Sequence, residues 1–157
     1  MIEAYFVVKY LHLLSAAILF GTGIGIAFFL WGAHLLIQDW PGRAGVLRLA
    51  VTADWIFTGA SGVLQPVSGL ALVHLGGHAF DAGWLLATYA LYALAFLCWA
   101  PVVWLQIRLR SMAVRAAETG QPPPPFYGRY FRLWFALGWP AFVALLAIYA
   151  LMLTKPF

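Results

Sequence analysis

Two basic side chains near the start of the chain are spaced so that both could contact one ligand. Lys9 and His12 are three residues apart and therefore share one face of a helix. They lie in an otherwise apolar run, where an ionisable group costs about 2.5–3.5 kcal/mol at the bilayer centre. A neutral imidazole is a common metal ligand, and it titrates near neutral pH. We predict that His12 serves as a ligand or in acid–base chemistry; the alternative is a structural hydrogen bond from His12 to a neighbouring helix.

A polar stripe runs along the second apolar segment. Its members follow one another at intervals of four, three, four and three residues: Asp54, Thr58, Ser61, Gln65 and Ser68. Such a stripe does not face lipid, so it either forms hydrogen bonds between helices, worth about 0.6–2 kcal/mol each, or lines a path for a cofactor, proton or substrate. We expect Asp54 to pair with an arginine such as Arg108 or Arg132, since an unpaired carboxylate there is costly.

Several polar residues have the same predicted depth in the membrane as His12. Gln65 and Ser68 lie at its level, together with Thr88, Tyr89, Tyr92 and Tyr149. We predict an outer-half pocket whose cofactor-binding residues are Lys9, His12, Gln65, Ser68 and Tyr92. His74 joins His12 as a metal ligand only if Pro66 kinks its helix, because His74 otherwise points away from Gln65. His34 is expected to be a solvated residue at the membrane interface.

The elements that must position these residues follow from composition. Of the 157 residues, 64% are hydrophobic and 9% are charged, whereas soluble domains carry about 25% charged residues. A membrane helix needs roughly 20 residues, so we predict one all-α membrane domain, residues 1–157, with four transmembrane helices. The predicted crossings are about 4–36, 54–75, 84–107 and 133–153. Pro66, Pro101 and Pro140 are expected to kink their helices and free a carbonyl each.

The distribution of Lys and Arg predicts the orientation. Seven arginines fall between the first and second crossings or in the predicted cytoplasmic loop 108–132, and only Lys9 and Lys155 lie on the other side. The positive-inside rule then places both termini on the outer, periplasmic side of a bacterial inner membrane. No basic stretch alternates with exposed aromatic residues, so nucleic acid is not an expected partner.

Small residues and the single cysteine have simpler interpretations. Ala17, Gly21, Gly25 and Gly32 form a seam on the first helix that favours close helix packing. No strand precedes these glycines, so they are not a dinucleotide-binding loop. Cys98 alone supplies neither a disulfide nor a cysteine-based metal site.

Two stretches of the chain resemble known membrane protein families. The segments Val8-Lys9-Tyr10-Leu11-His12 and Trp99-Ala100-Pro101-Val102-Val103-Trp104 resemble a family of small bacterial predicted integral membrane proteins of unknown function. The Lys-x-x-His start and Gly83-Trp84-Leu85-Leu86-Ala87-Thr88 are more distantly similar to HemJ-type protoporphyrinogen IX oxidases and CopD-like copper-resistance proteins. In the HemJ type, small helical bundles bind haem b and a first-helix histidine is important. That resemblance implies a haem or metal role for His12 and the possibility of an oxidoreductase, although Thr88 stands where that type has a lysine.

Three functions compete on these grounds. The leading hypothesis is a haem b protein with a redox or electron-transfer role, with copper or no cofactor as alternatives. The second is a passage for a small solute or metal ion along the polar stripe, which requires an oligomer because four helices without a repeat make a poor transporter. The third is a non-catalytic accessory subunit. The expected partners are membrane lipid and either further copies of the chain or a membrane partner subunit.

Overall fold

A computed structural model describes residues 2–156, which contain helices and no strand. The elements are α1 (Ile2–Leu36), α2 (Trp40–Ala53), a π-helical turn (Asp54–Gly59), α3 (Ala60–Leu75), α4 (Gly83–Thr119) and α5 (Tyr127–Thr154). The π turn joins α2 to α3 without a break, so the described residues form four helical stretches long and apolar enough to cross a membrane. This confirms the predicted all-α, four-span fold.

The four stretches run up and down and bring two sets of helix ends together. At one end, the last turns of α1 pack against α2, the second half of α4 and the start of α5; this cluster includes Leu30, Leu47, Leu109 and Phe131. We call it the arginine-rich end. At the other end, Val73 of α3 packs with Trp84 and Leu85 of α4 and the last turns of α5. We call this the terminal end, because residues 2 and 156 lie there.

The turn between α1 and α2 is built by an aspartate and an arginine. Asp39 accepts a hydrogen bond from the Gly42 N–H at 2.7 Å and caps the start of α2. Arg43 donates to the carbonyls of Ile37, at 2.6 Å, and His34, at 3.2 Å. These carbonyls are among those left without helical partners at the end of α1. Arg43, in the first turn of α2, therefore caps the C-terminal end of α1.

The helices extend beyond the predicted crossings. The connections at the arginine-rich end are residues 37–39 and 120–126, whereas the predicted loop ran over 108–132. α4 continues to Thr119 because its second half still packs, with Leu109 and Ala113 fully buried. Gly120 ends it in a left-handed conformation at φ 68°. Charged residues thus mark where apolar segments end, and not where helices end.

Two local predictions are wrong and have clear physical reasons. The seam of Gly21, Gly25 and Gly32 is not a close helix contact within residues 2–156, because a Cβ added at any of the three meets no atom within 4 Å. His34 is half-buried instead of solvated, since its ring stacks on Phe131 with centroids 3.9 Å apart.

One proline behaves as predicted. Pro66 lies inside α3 and has no N–H for the carbonyl of Gly62, four residues earlier. The hydroxyl of Tyr92, on α4, donates a hydrogen bond to that carbonyl. Tyr92 therefore satisfies the backbone group that the proline frees.

Candidate functional site

His12 lies in a cluster of hydrogen bonds between α1 and α3. Its Nδ1 atom is 2.8 Å from the Ser68 hydroxyl oxygen. Gln65 donates through its amide nitrogen to the His12 carbonyl, at 2.7 Å, and to the Ser15 hydroxyl. Ser15 in turn donates to the His12 carbonyl at 3.1 Å. We call His12, Ser15, Gln65 and Ser68 the His12 cluster.

A glycine makes room for the imidazole against α3. A Cβ added at Gly69 would lie 3.3 Å from Cε1 of His12, closer than ordinary van der Waals contact. The ring therefore packs against the backbone of α3. The contact with Ser68 at Nδ1 and this packing position the ring, while Gln65 bonds the backbone carbonyl of His12.

The contacts of Ser68 bear on the tautomer of His12. The Ser68 oxygen lies 2.5 Å from the carbonyl of Leu64 and 2.8 Å from Nδ1 of His12. A Ser68 hydroxyl that donates to Leu64 accepts from a protonated Nδ1, and in the neutral ring this arrangement leaves a lone pair on Nε2. Nε2 is not buried and has no hydrogen-bond partner among residues 2–156.

The other predicted cofactor residues lie apart from this cluster. Lys9 is exposed, with its ammonium group 5.8 Å from the centre of the Tyr5 ring. His74 is exposed near the end of α3. The Tyr92 hydroxyl donates its hydrogen bond to the Gly62 carbonyl. Within residues 2–156, no group of three or more His, Cys, Asp or Glu side chains is placed to hold a metal ion.

Thr88 and Tyr149 of the predicted outer-half pocket have other partners, and the buried hydroxyl of Tyr89 makes no hydrogen bond within residues 2–156. Thr88 is buried and donates to the Trp84 carbonyl at 2.8 Å. Tyr149 meets Phe20 edge to face, with centroids 5.5 Å apart. Of the predicted set, the structure brings Gln65 and Ser68 to His12.

A large cavity lies in the other half of the bundle, toward the arginine-rich end. Its volume is about 840 Å³, and residues of α1, the π turn, α3, α4 and α5 line it. Most of the wall is apolar and aromatic, including Trp31, Trp55, Trp99, Trp134 and Trp139. Tyr92 also lines the cavity, whereas His12 does not. The His12 cluster and this mainly apolar cavity are therefore separate regions of the bundle.

Four polar atoms in the cavity wall have no hydrogen-bond partner. They belong to side chains that are at least nine-tenths buried: Asp54 (Oδ2), Thr58 (Oγ1), Gln106 (Oε1) and Trp134 (Nε1). Buried polar groups are normally paired, because an unpaired one costs about 1–3 kcal/mol. Donors and acceptors without protein partners at one cavity are typical of a ligand-binding site.

The predicted pairing of Asp54 with Arg108 or Arg132 is wrong. Oδ1 of Asp54 accepts a bond from the indole N–H of Trp99 at 3.4 Å, and Oδ2 has no partner. Arg108 instead lies over the ring of Trp104, 5.3 Å from its centre. The carboxylate of Asp54 is buried in the bundle, whereas Arg108 is engaged with this aromatic ring on α4.

Sequence reasoning missed four features of these two regions. Ser15 and Gly69 look like ordinary small helix residues, and only the packing of α1 on α3 gives them a role. Gln106 did carry a signal, because it is the only Asn or Gln between residues 84 and 107. The π turn at Asp54–Gly59 has no simple sequence signature, although π-helical turns are frequent at functional sites.

Comparison with known proteins finds one family. A family model described as "Predicted integral membrane protein (DUF2269)" matches residues 6–156. No curated protein matches the chain, and no solved structure does. The family match confirms the resemblance to predicted integral membrane proteins of unknown function, whereas the HemJ and CopD resemblance stays a prediction.

Proposed function

The chain belongs to the DUF2269 family of predicted integral membrane proteins, and we propose that it binds haem b through His12. Its role would be redox chemistry or electron transfer in the bacterial inner membrane. The observation that carries the proposal is the 2.8 Å contact between Nδ1 of His12 and the Ser68 hydroxyl, which engages one ring nitrogen and leaves Nε2 as the nitrogen that would bind iron. Metal-bound histidines commonly donate their other ring N–H to a protein acceptor, which orients the ring and raises its basicity.

The other members of the cluster support the ligand and do not touch the cofactor. Gln65 and Ser15 hold the backbone carbonyl of His12, and Gly69 lets the ring lie against α3. Lys9 is three residues nearer the start of α1 and exposed, so its ammonium group can meet a propionate. When bound, haem would supply a one-electron iron couple.

An absorption spectrum of the detergent-purified protein, expressed with added haem precursor, tests this function. We expect a Soret band in the wild-type protein and no band in His12→Ala. The matched control, His78→Ala, should keep the band, because His78 lies in the connection after α3. Ser68→Ala should weaken haem binding about 10- to 100-fold, as the loss of a partner of a ligating histidine does. A Soret band that His12→Ala leaves unchanged contradicts the proposal.

The same set of variants tests the copper alternative and the second ligand. Copper in place of haem predicts bound copper without a Soret band, again lost with His12→Ala. His74 keeps its predicted role as a second metal ligand only if His74→Ala changes the spectrum or the bound copper. If replacing Lys9 and His12 by apolar residues alters neither spectrum nor phenotype, the accessory-subunit hypothesis is favoured.

A second candidate function is a passage for a small solute or metal ion. The observation that favours it is that Asp54 and Thr58 line the large cavity. The far part of the polar stripe does not extend that path, since Gln65 and Ser68 are bonded to α1. Uptake into liposomes that is lost with Asp54→Asn supports a passage, and uptake that Asp54→Asn leaves unchanged contradicts it.

A further inference from the structure

The charge of the cavity wall restricts the kind of ligand it can accept. Of the described residues that line it, Asp54 is the only acid, and none is a lysine, arginine or histidine. A carboxylate or phosphate in this cavity would meet Asp54 with no compensating cation. The wall therefore selects against anions, including a haem with its two propionates.

Asp54 has no cationic partner among residues 2–156. Its side chain is 4% exposed, Oδ1 accepts the long bond from Trp99, and Oδ2 is outside hydrogen-bond geometry, with the neutral Thr58 hydroxyl beside the carboxylate. A buried ionised carboxylate is costly unless it is paired. A ligand that brings a positive charge to Oδ2 would supply the missing partner.

The aromatic residues around Asp54 favour the same charge. Trp55 and Trp99 meet edge to face beside the carboxylate, with ring centroids 6.4 Å apart. Across the cavity, Trp31 stacks on Phe135 at 4.5 Å. The faces of aromatic rings attract cations, those of tryptophan most strongly, and such rings recognise quaternary ammonium groups.

The cavity reaches the lateral surface of the bundle. Two of its lining residues are exposed on the side of the π turn and α4: Trp55 (56%) and Phe96 (55%). Two more are exposed on the side of α1 and α5: Phe28 (70%) and Trp139 (55%). In a membrane these surfaces face lipid. A ligand that enters between the helices must therefore dissolve in the bilayer.

We propose that this cavity binds a lipophilic organic cation, of the quaternary ammonium or phosphonium type, with Asp54 as its counter-ion. The aromatic walls hold the apolar groups of the cation, and Thr58 lies beside Asp54 on the same π turn. The volume of about 840 Å³ lies within the range of about 300–1,000 Å³ typical of small-molecule pockets. The inference extends the passage candidate and is independent of haem at His12, since His12 does not line the cavity.

Three probes of similar shape and different charge test the proposal on the full chain in detergent. Tetraphenylphosphonium is the cation, triphenylphosphine oxide the neutral analogue and tetraphenylborate the anion. Binding is measured by equilibrium dialysis against protein-free micelles and by quenching of tryptophan fluorescence. We expect tetraphenylphosphonium to bind at least tenfold more tightly than either analogue. The proposal is overturned if the neutral analogue binds as tightly as the cation, or if the cation does not bind. This test uses the wild-type protein alone.

Variants then assign the charge selectivity to Asp54. Asp54→Asn should weaken tetraphenylphosphonium binding at least tenfold without changing the affinity for the neutral analogue, and Asp54→Glu should retain cation selectivity. The matched control is Asp81→Asn, which removes an exposed carboxylate outside the cavity wall and should leave binding unchanged. Cation selectivity that persists in Asp54→Asn overturns the assignment. The haem spectrum of each variant should stay as in the wild-type protein, so failure here and failure of the haem proposal are distinguishable.

Discussion

Removing the hydroxyl of Tyr92 tests how the bundle tolerates a proline within the membrane. In the structure the Gly62 carbonyl has lost its helical N–H partner to Pro66 and accepts a bond from Tyr92 instead. Tyr92→Phe leaves this carbonyl without a partner in an apolar environment. An unsatisfied buried group costs about 1–3 kcal/mol, and measured side-chain bonds in membrane helices are worth about 0.6–1.7 kcal/mol. We therefore expect a loss of about 1–2 kcal/mol in the free energy of unfolding.

A double-mutant cycle shows whether the proline is the reason. Pro66→Ala restores an N–H that can bond the Gly62 carbonyl, so the hydroxyl of Tyr92 becomes redundant. In that background Tyr92→Phe should cost less than about 0.5 kcal/mol, giving a coupling of about 1 kcal/mol between the two positions. The free energies are measured by SDS unfolding of the detergent-solubilised protein. An equal cost of Tyr92→Phe in both backgrounds refutes the reasoning.

Three further predictions follow from other contacts. Gly69→Ala places a Cβ 3.3 Å from the His12 ring and should destabilise the fold by about 1–3 kcal/mol. In the control, Gly21→Ala, the added Cβ meets open space and should change the unfolding free energy by less than about 0.5 kcal/mol. Equal effects of the two changes contradict the packing of His12 on α3. Arg43→Ala frees two carbonyls at the end of α1 and should cost about 1–3 kcal/mol, with no change in SDS unfolding as the opposing result. Gln121→Cys, in a cysteine-free protein, should resist a membrane-impermeant maleimide added to whole cells, since the arginines predict that this connection faces the cytoplasm; rapid labelling would reverse the orientation.

The division of the polar stripe shows what periodicity can and cannot predict. The spacing from Asp54 to Ser68 assumes 100° per residue, which places all members on one face. The structure contains a π turn within this stripe, in which each residue bonds to the fifth along instead of the fourth. Asp54 and Thr58 lie in that turn and line the cavity, while Gln65 and Ser68, two turns further along, meet His12. Membrane depth predicted the second contact, because depth depends on the number of residues along the helix and little on its rotation.

The fold itself was predictable for a different reason. Apolar length and scarce charge determine the number of spans, and they depend little on the exact path of each helix. The partner of a single side chain depends on that path within a few ångströms. Pro66 illustrates both cases: the sequence predicts that it frees a carbonyl, and only the structure identifies Tyr92 as the donor that satisfies it.

The central claim, that His12 is a haem ligand, is tested most directly by titrating haem into the purified protein and following the Soret band. The account predicts saturation at one haem per chain for the wild-type protein. It also predicts loss of the band with His12→Ala and its partial recovery when imidazole is added to His12→Gly. A titration curve that is the same for the wild-type and His12→Ala proteins would contradict the claim.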